Sequence, residues 1–579
     1  MTMKLSCVFV ALLCPHPVQA VIVAGRVFLD ANTNGTFDPG EKPVAGCIVS
    51  DERTLTHSNA EGRYQLVLGK PPAVVFVVNP SGTWPAGRWW QYVCADATVD
   101  FALRAEDQSA PLYFVHGTDP HIQPKAVPMY RRYVEHVNSL PVPVKFVVHT
   151  GDLVVDAERR TLQQASELFS LYEEESSRLK PALRNLMGNH DVAGVSNPKV
   201  KEDEPGYGKA LYRQRLGPAT YAFRYGPYHF IALDGNTINQ RSVSYALTKE
   251  SADWAIAYLA EAKRHEPIIL LIHEPMFPET DGVRQPDPTK TRPHEARLRT
   301  ALRGKTLLMT LAGHTHGRTE TTWAGAPHIL GGAISYAWHG ILPYPTTPRA
   351  YVLFRLEANR EEHVWLDWAE ERSIDVVTPA FTNLVHGHQK ITGAVADFGA
   401  NTSAVDCILN GQRAAAKLFR RGHLATTFET VLDTAELFDG TYDLLVTARV
   451  GDKTYTEHHP LVVVNRKPAP FTAAGHARLS FRIEGKPPPE IKATCNGHRL
   501  AVGPASGPEF HCDVPAEHLR RLNEIVIEAR MPAVVRNVSL QYAGRRLRDV
   551  RFAPLARRQA NPSVVSYIDL SYAPEGAPF

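Results

Sequence analysis

The sequence lacks three features that would restrict its function at once. After residue 20, no apolar run reaches the roughly 20 residues that a membrane-spanning helix needs. Neither charge sign dominates: 63 Lys and Arg face 60 Asp and Glu, so neither nucleic acid nor an anionic membrane is indicated as a partner. Cysteine is scarce, with seven among 579 residues, and no spacing resembles a structural zinc site. What remains is an ordinary globular composition, and this length predicts about four domains.

The first 20 residues have the pattern of a cleaved export signal. Lys4 is followed by the apolar run LSCVFVALLC and by a small-residue cleavage site that ends at Ala20. This pattern predicts a mature chain that begins at Val21 and is secreted or periplasmic. In an oxidising compartment two disulfides could form, each within one small domain, although the sequence does not fix the connectivity. These pairs are Cys47 with Cys94 and Cys495 with Cys512, which leaves Cys407 unpaired.

The rest of the chain changes pattern along its length. Residues 21–106 contain short β-branched and aromatic runs separated by turn residues, which predict an all-β module. Residues 107–372 alternate apolar strands with helical segments such as 127–137, which is typical of an α/β layered domain. Residues 373–467 and 468–579 return to alternating strand patterns, and each predicts a further β-sandwich.

Five apolar runs of the α/β region end in side chains that can bind metal ions. These side chains are Asp119 and His121; Asp152; Asn189, His190 and Asp191; His273; and His314 with His316. The carboxyl ends of strands in an open α/β sheet meet at one edge, so the five endings predict one cluster built from distant segments. A single such ending is more often a hydrogen-bonded histidine or a turn, but five in one domain are not expected by chance.

The donor types indicate which metals would bind. Carboxylate, amide and imidazole groups without a thiolate suit Mn, Fe, Zn or Co. Seven donors exceed the three protein ligands of a typical catalytic zinc, so they favour two ions. Two adjacent ions are the arrangement that clamps the attacking and leaving oxygens of a phosphoryl displacement.

The order of these motifs resembles the calcineurin-like metallophosphoesterases. The motifs stand here as Asp119-Pro-His121, Gly151-Asp152-Leu-Val-Val-Asp156, Gly188-Asn189-His190-Asp191, His273 and Gly313-His314-Thr-His316. The resemblance implies a four-layer α/β core, in which helices flank two sheets, and all-β sandwich domains would then stand on both sides of it. It also implies a phosphoesterase that hydrolyses phosphate monoesters or diesters, and we expect a preference for diesters.

The resemblance also implies a role for each motif residue. One metal would take Asp119, His121, Asp152 and His316, and the other would take Asp152, Asn189, His273 and His314. A hydroxide that bridges the ions would attack phosphorus in line. His190 would stabilise the transition state and protonate the leaving oxygen, Asp191 would orient the His190 ring, and Asp156 would support a ligand from behind. Val155 stands where purple acid phosphatases carry a tyrosine ligand, so Mn or a mixed Fe or Zn site is favoured.

A loop in the first module, DANTNGTFDPGE, has the residue types of a twelve-residue calcium loop. The candidate calcium ligands are Asp30, Asn32, Asn34, Thr36, Asp38 and Glu41. The loop follows a strand, so it resembles the calcium modules of β-sandwich adhesins and of some secreted metallophosphoesterases rather than an EF-hand. A polar turn that needs no metal is an equal alternative.

The sequence does not identify the phosphate-ester substrate. The alternative to an enzyme is a catalytically redundant surface protein that binds envelope or glycan through its β domains. A nuclease is disfavoured by the near-neutral charge and by the lack of an aromatic and basic stripe.

Overall fold

A computed structural model describes most of the chain. The described residues are 20–276, 292–316, 319–335, 349–358, 360–367, 374–379, 383–420, 422–484, 490–503, 508–530, 533–551, 558–560 and 563–572. The predicted export signal, apart from Ala20, lies outside them. None of the helices in these residues combines the length and the apolar character that a bilayer crossing requires.

The N-terminal region is built from strands, as its turn-separated runs predict. The strands are β1 (Val21–Leu29), β2 (Lys42–Pro43), β3 (Ile48–Ser50), β4 (Leu55–His57), β5 (Arg63–Leu68), β6 (Ala73–Val78), β7 (Thr83–Pro85), β8 (Trp90–Val93), β9 (Ala97–Thr98) and β10 (Phe101–Ala105). One sheet has the order β2-β1-β10-β7, with β5 and β9 also paired to β1, and the other has the order β4-β3-β6-β8. In β5 buried and exposed residues alternate, because one face meets the core and the other meets solvent.

The central region alternates strands and helices. Its strands are β11 (Leu112–Gly117), β12 (Val144–His149), β13 (Ala182–Asn185), β14 (Tyr221–Tyr225), β15 (Tyr228–Leu233), β16 (Asn236–Asn239), β17 (Ser242–Tyr245), β18 (Pro267–Ile272), β19 (Thr306–Ala312), β20 (Thr319–Trp323), β21 (Ala326–Leu330), β22 (Ala350–Glu357) and β23 (Arg360–Asp367). Its helices are α1 (Val127–Asn138), α2 (Leu162–Ser176), α3 (Ala210–Leu216), α4 (Lys249–Glu261) and α5 (Pro293–Ala301). Helix α2 begins at a capping box in which Thr161 and Gln164 exchange side-chain and backbone hydrogen bonds.

Two sheets form the centre of this region. The first has the order β13-β12-β11-β22-β23, and the second has the order β14-β15-β18-β19-β21-β20. Strands β11, β12 and β13 run parallel in the first sheet, and β15, β18 and β19 run parallel in the second. Every residue of β18 is buried, which is typical of a parallel strand covered on both faces.

The main core lies between these two sheets. Phe114 of β11 and Phe146 of β12 pack edge-on against Phe230 of β15, with ring centroids 5.3 and 5.2 Å apart. Helices α1 and α2 pack on the opposite face of the first sheet through Tyr133 and Phe169, and α4 and α5 pack against the second sheet. The central region is therefore layered, and both sheets direct the carboxyl ends of their parallel strands towards the residues described below.

The N-terminal strands share this core. Trp84 of β7 stacks on Phe146 with ring centroids 5.7 Å apart, and the buried Arg184 of β13 lies over the ring of Trp89 at 4.3 Å. Glu52, in the turn after β3, is bonded to Arg213 of α3 and accepts a hydrogen bond from the backbone N–H of Ala219. The first β module is thus joined to the central region by apolar packing and by charge.

Strands continue to the C-terminus in two groups. The first group is β24 (Ile374–Thr378), β25 (Leu384–Val385), β26 (His388–Ala396), β27 (Thr402–Leu409), β28 (Gln412–Ala415), β29 (Lys417–Arg420), β30 (Ala425–Asp433), β31 (Gly440–Val450) and β32 (Lys453–Val463). The second group is β33 (Ala477–Glu484), β34 (Ile491–Cys495), β35 (His498–Leu500), β36 (Glu509–Val514), β37 (Leu522–Ala529), β38 (Ala533–Tyr542), β39 (Arg545–Arg548), β40 (Arg558–Ala560) and β41 (Ser563–Asp569). Each group forms two sheets around its own apolar core. The boundaries at 106, 372 and 467 stay predictions.

The disulfide expectation is wrong for this structure, because no disulfide joins any two of the five cysteines of the described residues. Cys47 is buried in the N-terminal core, where its thiol donates to the carbonyl oxygen of Val78 at 3.4 Å, whereas Cys94 is exposed. Cys495 and Cys512 lie on different sheets of the last β group, and the thiol of Cys495 faces the side chain of Asn523. Burial raises the pKa of the Cys47 thiol to about 12, so this group behaves as a small apolar side chain.

Candidate metal centre

The predicted donors lie where the parallel strands end, but they come from two sheets. Asp119, Asp152 and Asn189 follow strands β11, β12 and β13 of the first sheet, and His273 and His314 follow strands β18 and β19 of the second. The residue pattern predicted that the donors would meet at the edge of a single sheet. They meet instead where the edges of two sheets adjoin. Strand pairing is set by contacts distant in sequence, which the local pattern cannot express.

The backbone at this junction is held in an uncommon conformation. Five of the predicted donors and one neighbouring carboxylate have positive φ angles: Asp119 (52°), His121 (42°), Asp152 (51°), Asp156 (50°), His314 (69°) and His316 (56°). All six are Asp or His, which are among the non-glycine residues that adopt this region most often. Left-handed residues that cluster in this way are characteristic of functional sites, where the surrounding structure holds the strain.

The glycines of the motifs allow the segments to approach each other closely. A Cβ atom on Gly188 would lie 2.2 Å from the backbone nitrogen of Asp152, and one on Gly313 would lie 1.9 Å from the hydroxyl of Thr118. No side chain fits at either distance. These two glycines therefore permit the contacts that bring the donor segments together.

One group of donors contains Asp119, His121, Asp152 and His316, whose ligand atoms all lie within 4.8 Å of one another. The Nε2 atoms of His121 and His316 are 2.9 Å apart, and His316 Nε2 lies 3.2 Å from Asp119 Oδ1. Although burial opposes ionisation, the imidazole rings of His316 and His121 hold the pKa of Asp119 well below its usual range. Two imidazole nitrogens and two carboxylates that converge in this way suit one divalent ion.

A second group consists of Asp152, His273 and His314. His273 Nε2 lies 3.1 Å from Asp152 Oδ2, and His314 Nδ1 lies 2.8 Å from Asn189 Oδ1. Burial, together with the charge of His273, lowers the pKa of His314 to about 3, so this ring is neutral and free to bind a metal. Asp152 belongs to both groups, and the four predicted residues of the second ion are brought together.

Unpaired buried atoms test whether metal ions fit. Asp119 Oδ1 and His273 Nε2 both lack a hydrogen bond of normal geometry, and both residues are fully inaccessible to solvent. A buried polar atom without a partner costs about 1–3 kcal/mol, and a bound cation would satisfy both atoms. The other nitrogen of His273, Nδ1, lies 2.7 Å from the carbonyl oxygen of Thr150, which orients the ring as metal-binding histidines usually are. The site fits a two-metal hydrolase.

His190 lies beside the first group of donors. Its ring centroid is 5.0 Å from that of His121, and its Nε2 atom is 3.9 Å from Asp152 Oδ2. Its Nδ1 atom faces two carboxylates, Asp156 at 3.1 Å and Glu158 at 3.4 Å. Burial opposes the charged ring, but Asp152, Asp156 and Glu158 outweigh it and raise the pKa of His190 to about 12.

The structure gives Asp191 a different place from the one expected. One of its carboxylate oxygens accepts a hydrogen bond from the backbone N–H of Val154, and the other accepts one from the N–H of Gly188. Asp191 therefore ties two donor-bearing loops together, and the carboxylates that face the His190 ring are Asp156 and Glu158. Asp156, expected to support a metal ligand, contacts His190 instead. Burial and the charge of Asp152 raise the pKa of Asp191 to about 7.

Two residues of the site were not predicted from the sequence. Glu158 follows Asp156 by two residues in a short 3-10 turn, so its spacing could have suggested it. Tyr245 ends strand β17, and its ring lies over that of His314 with centroids 4.9 Å apart. No local signal marks Tyr245, because its position depends on where the β16–β17 hairpin packs.

The predicted calcium ligands form one compact turn, but they bond to one another. Asp30 accepts hydrogen bonds from the backbone N–H groups of Asn34 and Gly35, and Glu41 accepts from those of Ala31 and Asp38. The remaining contacts run from the Nδ2 atoms of Asn32 and Asn34 to Asp38 Oδ2, and from the N–H of Thr36 to Asn34 Oδ1. The hydrogen bonds account for the shape of this loop, and calcium binding stays a prediction.

Comparisons with known proteins agree with the motif order. Residues 112–318 match the family model described as calcineurin-like phosphoesterase. A comparison with curated proteins gives no match.

Solved structures align with parts of the chain at low similarity. A conserved uncharacterized protein, predicted to be a phosphoesterase, from Streptococcus pneumoniae TIGR4 is 13% identical, with a TM-score of 0.22 over 45% of this chain and 91% of that one. The anchor in the inner membrane complex of Plasmodium is 15% identical, with a TM-score of 0.31 over 45% and 86%. The phosphopantetheinyl hydrolase of Mycobacterium tuberculosis is 15% identical, with a TM-score of 0.25 over 39% and 91%. These scores are too low to support an inference about activity.

The expected motifs occur in the family's order, and the family model covers the strands that carry them. Residues 112–318 are therefore the part of the chain that matches the calcineurin-like phosphoesterase family.

Proposed function

We propose that this chain is an exported two-metal phosphoesterase that hydrolyses phosphate esters, with diesters preferred to monoesters. The observation that carries the proposal is the shared carboxylate of Asp152, which lies between two groups of donors that contain unpaired buried atoms. Two divalent ions, Mn, Fe or Zn, would lower the pKa of a water molecule and neutralise charge on the phosphoryl oxygens.

The protein's own contribution centres on His190. Its Nδ1 atom is held by Asp156 and Glu158, so its Nε2 atom is turned towards Asp152 and the donors around it. The two carboxylates favour the protonated ring, and an imidazolium at this place would stabilise negative charge on the phosphoryl and leaving oxygens and supply a proton to the leaving oxygen.

The test is hydrolysis of bis-p-nitrophenyl phosphate and p-nitrophenyl phosphate by the full chain with added Mn. We expect turnover of both esters, faster for the diester. Asp152→Asn and His190→Gln should each reduce the rate by about 100-fold or more, because each removes charge from the reacting centre. Metal content, measured by mass spectrometry, should fall in Asp152→Asn and stay unchanged in His190→Gln.

Matched controls separate these effects from general damage. Asp107→Asn and His388→Gln change exposed residues of the same types and should retain wild-type rates. If wild-type protein that contains metal turns over neither ester, the enzyme proposal fails. The alternative of a catalytically redundant surface protein that binds envelope or glycan then gains support. The complete donor set supports the enzyme over this alternative.

The proposal of export rests on the pattern around Lys4 and Ala20. N-terminal sequencing of protein recovered from a secreting host should give a chain that begins at Val21. Protein that keeps its first 20 residues and stays in the cytoplasm would contradict it.

A further inference from the structure

The β16–β17 hairpin is fixed above the metal centre by contacts with the segment that carries Asn189. Asn236 pairs with Tyr245 across the hairpin, and its side-chain amide donates to the carbonyl oxygen of Met187 at 3.1 Å. At the hairpin turn, Arg241 donates to the carbonyl oxygen of Val200 at 2.9 Å. Both ends of the hairpin are therefore tied to residues close to the donor loop.

Tyr245 is placed by this hairpin beside the second group of donors. Its ring lies 4.9 Å from that of His314, at an angle of 52°. Tyr245 is 46% exposed, more than any other large apolar side chain in the described part of residues 112–367. His314 is itself only partly buried, so solvent reaches both the tyrosine and the metal donor that it contacts.

Tyr245 and His190 contact different groups of donors, and the two groups share Asp152. His190 contacts the first group through His121, whereas Tyr245 contacts the second group through His314. In an in-line displacement the attacking oxygen takes the position opposite the leaving oxygen, so the retained ester group of a diester points to the side of that axis, where Tyr245 beside His314 can meet it. Only the imidazole ring of His314 separates Tyr245 from the metal centre. A ring attached directly to the ester oxygen of a substrate would therefore be close enough to contact Tyr245.

We propose that Tyr245 is a specificity-determining residue that stacks against a ring on the retained ester group of a phosphodiester. The inference rests on the proposed function, which it extends to a substrate class: diesters that carry an aryl or saturated ring bound at the ester oxygen. A flat aromatic face favours ring partners over short alkyl groups through stacking and apolar contact.

Two diesters with the same leaving group test the proposal. Bis-p-nitrophenyl phosphate retains a ring after hydrolysis, and methyl p-nitrophenyl phosphate retains only a methyl group. The ratio of their kcat/KM values should fall about fivefold in Tyr245→Ala and stay near the wild-type ratio in Tyr245→Phe. Phe438→Ala, which removes an exposed ring from the distant β30–β31 connection, is the matched control and should not change the ratio. An unchanged ratio in Tyr245→Ala overturns the proposal.

Direct binding gives an answer that does not depend on turnover. Calorimetric titration of the Mn-loaded protein with phenyl-, cyclohexyl- and methylphosphonate should show a preference of about fivefold for a ring over methyl, lost in Tyr245→Ala. If phenylphosphonate alone binds more tightly than methylphosphonate, the retained ester group is aromatic. If cyclohexylphosphonate also binds more tightly, the substrate class includes saturated, sugar-like rings. Equal affinities in the wild type contradict the role of Tyr245. Inactivity on both esters with this preference intact would contradict the proposed function and leave the ring-binding role standing.

Discussion

At the scale of single residues, the carboxylates around the centre fall into three groups. Asp119 and Asp152 point their oxygens at histidine nitrogens and are placed to bind metal. Asp191 instead accepts backbone N–H groups from two loops, while Asp156 and Glu158 face the ring of His190. Five acids that are close in sequence or space therefore affect three different properties: metal affinity, loop geometry and the protonation of His190.

Asp191→Asn should lower stability and metal binding together. The asparagine amide can accept from only one of the two backbone N–H groups, so the other is left buried without a partner, at a cost of about 1–3 kcal/mol. We expect a lower thermal midpoint and weaker Mn binding, measured by calorimetry. Asp156→Asn is the matched comparison, since it should reduce turnover while the midpoint changes little. Equal midpoints for Asp191→Asn and the wild type would show that Asp191 does not tie the loops together.

The donors themselves could be predicted from the sequence, because each follows an apolar run that ends abruptly. Asp119, His273 and His314 all obey this rule. The partners of His190 could not be assigned in the same way, since Asp191 is its neighbour in sequence and Asp156 its neighbour in space. Tyr245 gave no signal, because a polar hairpin carries no information about what it covers.

At the scale of secondary-structure elements, the short buried strands were predictable and their assignment to sheets was not. Strands β11, β12, β18 and β19 are apolar runs bounded by turn residues, which is a local property. Their division between two sheets depends on pairings such as β11 with β22, which lies more than 200 residues further along the chain. The edge strands β20 and β23 of the two sheets approach each other through His363, which lies between Glu361 of its own strand and Glu320 of the other.

His363 should make stability depend on pH. Burial opposes its charge, but Glu320 and Glu361 outweigh burial and raise the pKa of His363 to about 9. Because the folded pKa exceeds the unfolded value of about 6.5, this contribution is present below pH 6.5 and is lost as pH rises through 9. It amounts to at most about 3 kcal/mol, and less because Glu320 is half exposed.

Urea unfolding at pH 6 and pH 9 measures this effect. The wild type should lose more stability between the two values than His363→Gln does. His388→Gln, a change at an exposed histidine, should keep the wild-type difference. If the wild type and His363→Gln lose the same stability between pH 6 and pH 9, His363 is not the cause of the pH dependence.

At the scale of the whole molecule, the N-terminal strands complete the core of the phosphoesterase domain. Arg184 is buried beneath the rings of Trp89 and Trp84, and Phe76 belongs to the same apolar cluster as Phe114. The last β group, residues 477–570, has a core drawn from its own strands and connections. The boundary predicted near residue 106 thus separates elements that share a core.

Deletion of residues 21–106 should therefore prevent the phosphoesterase domain from folding as a soluble protein. It would expose Phe146 and Phe223 and remove Trp84 and Trp89 from their places over Arg184. Deletion of residues 468–579 is the comparison and should leave diester turnover largely intact. Soluble yield and turnover of both truncated proteins measure the outcome. A soluble, active protein without residues 21–106 would show that the shared core is dispensable.

The left-handed backbone at the six Asp and His residues of the centre has an evolutionary consequence. Glycine would relax each of these positions, since it adopts positive φ without steric cost. Selection for stability alone would thus favour glycine at these six positions, whereas selection for activity retains the Asp and His side chains. The centre is a place where the two selections oppose each other, and a lineage that lost its substrate should lose these six side chains early while keeping its fold.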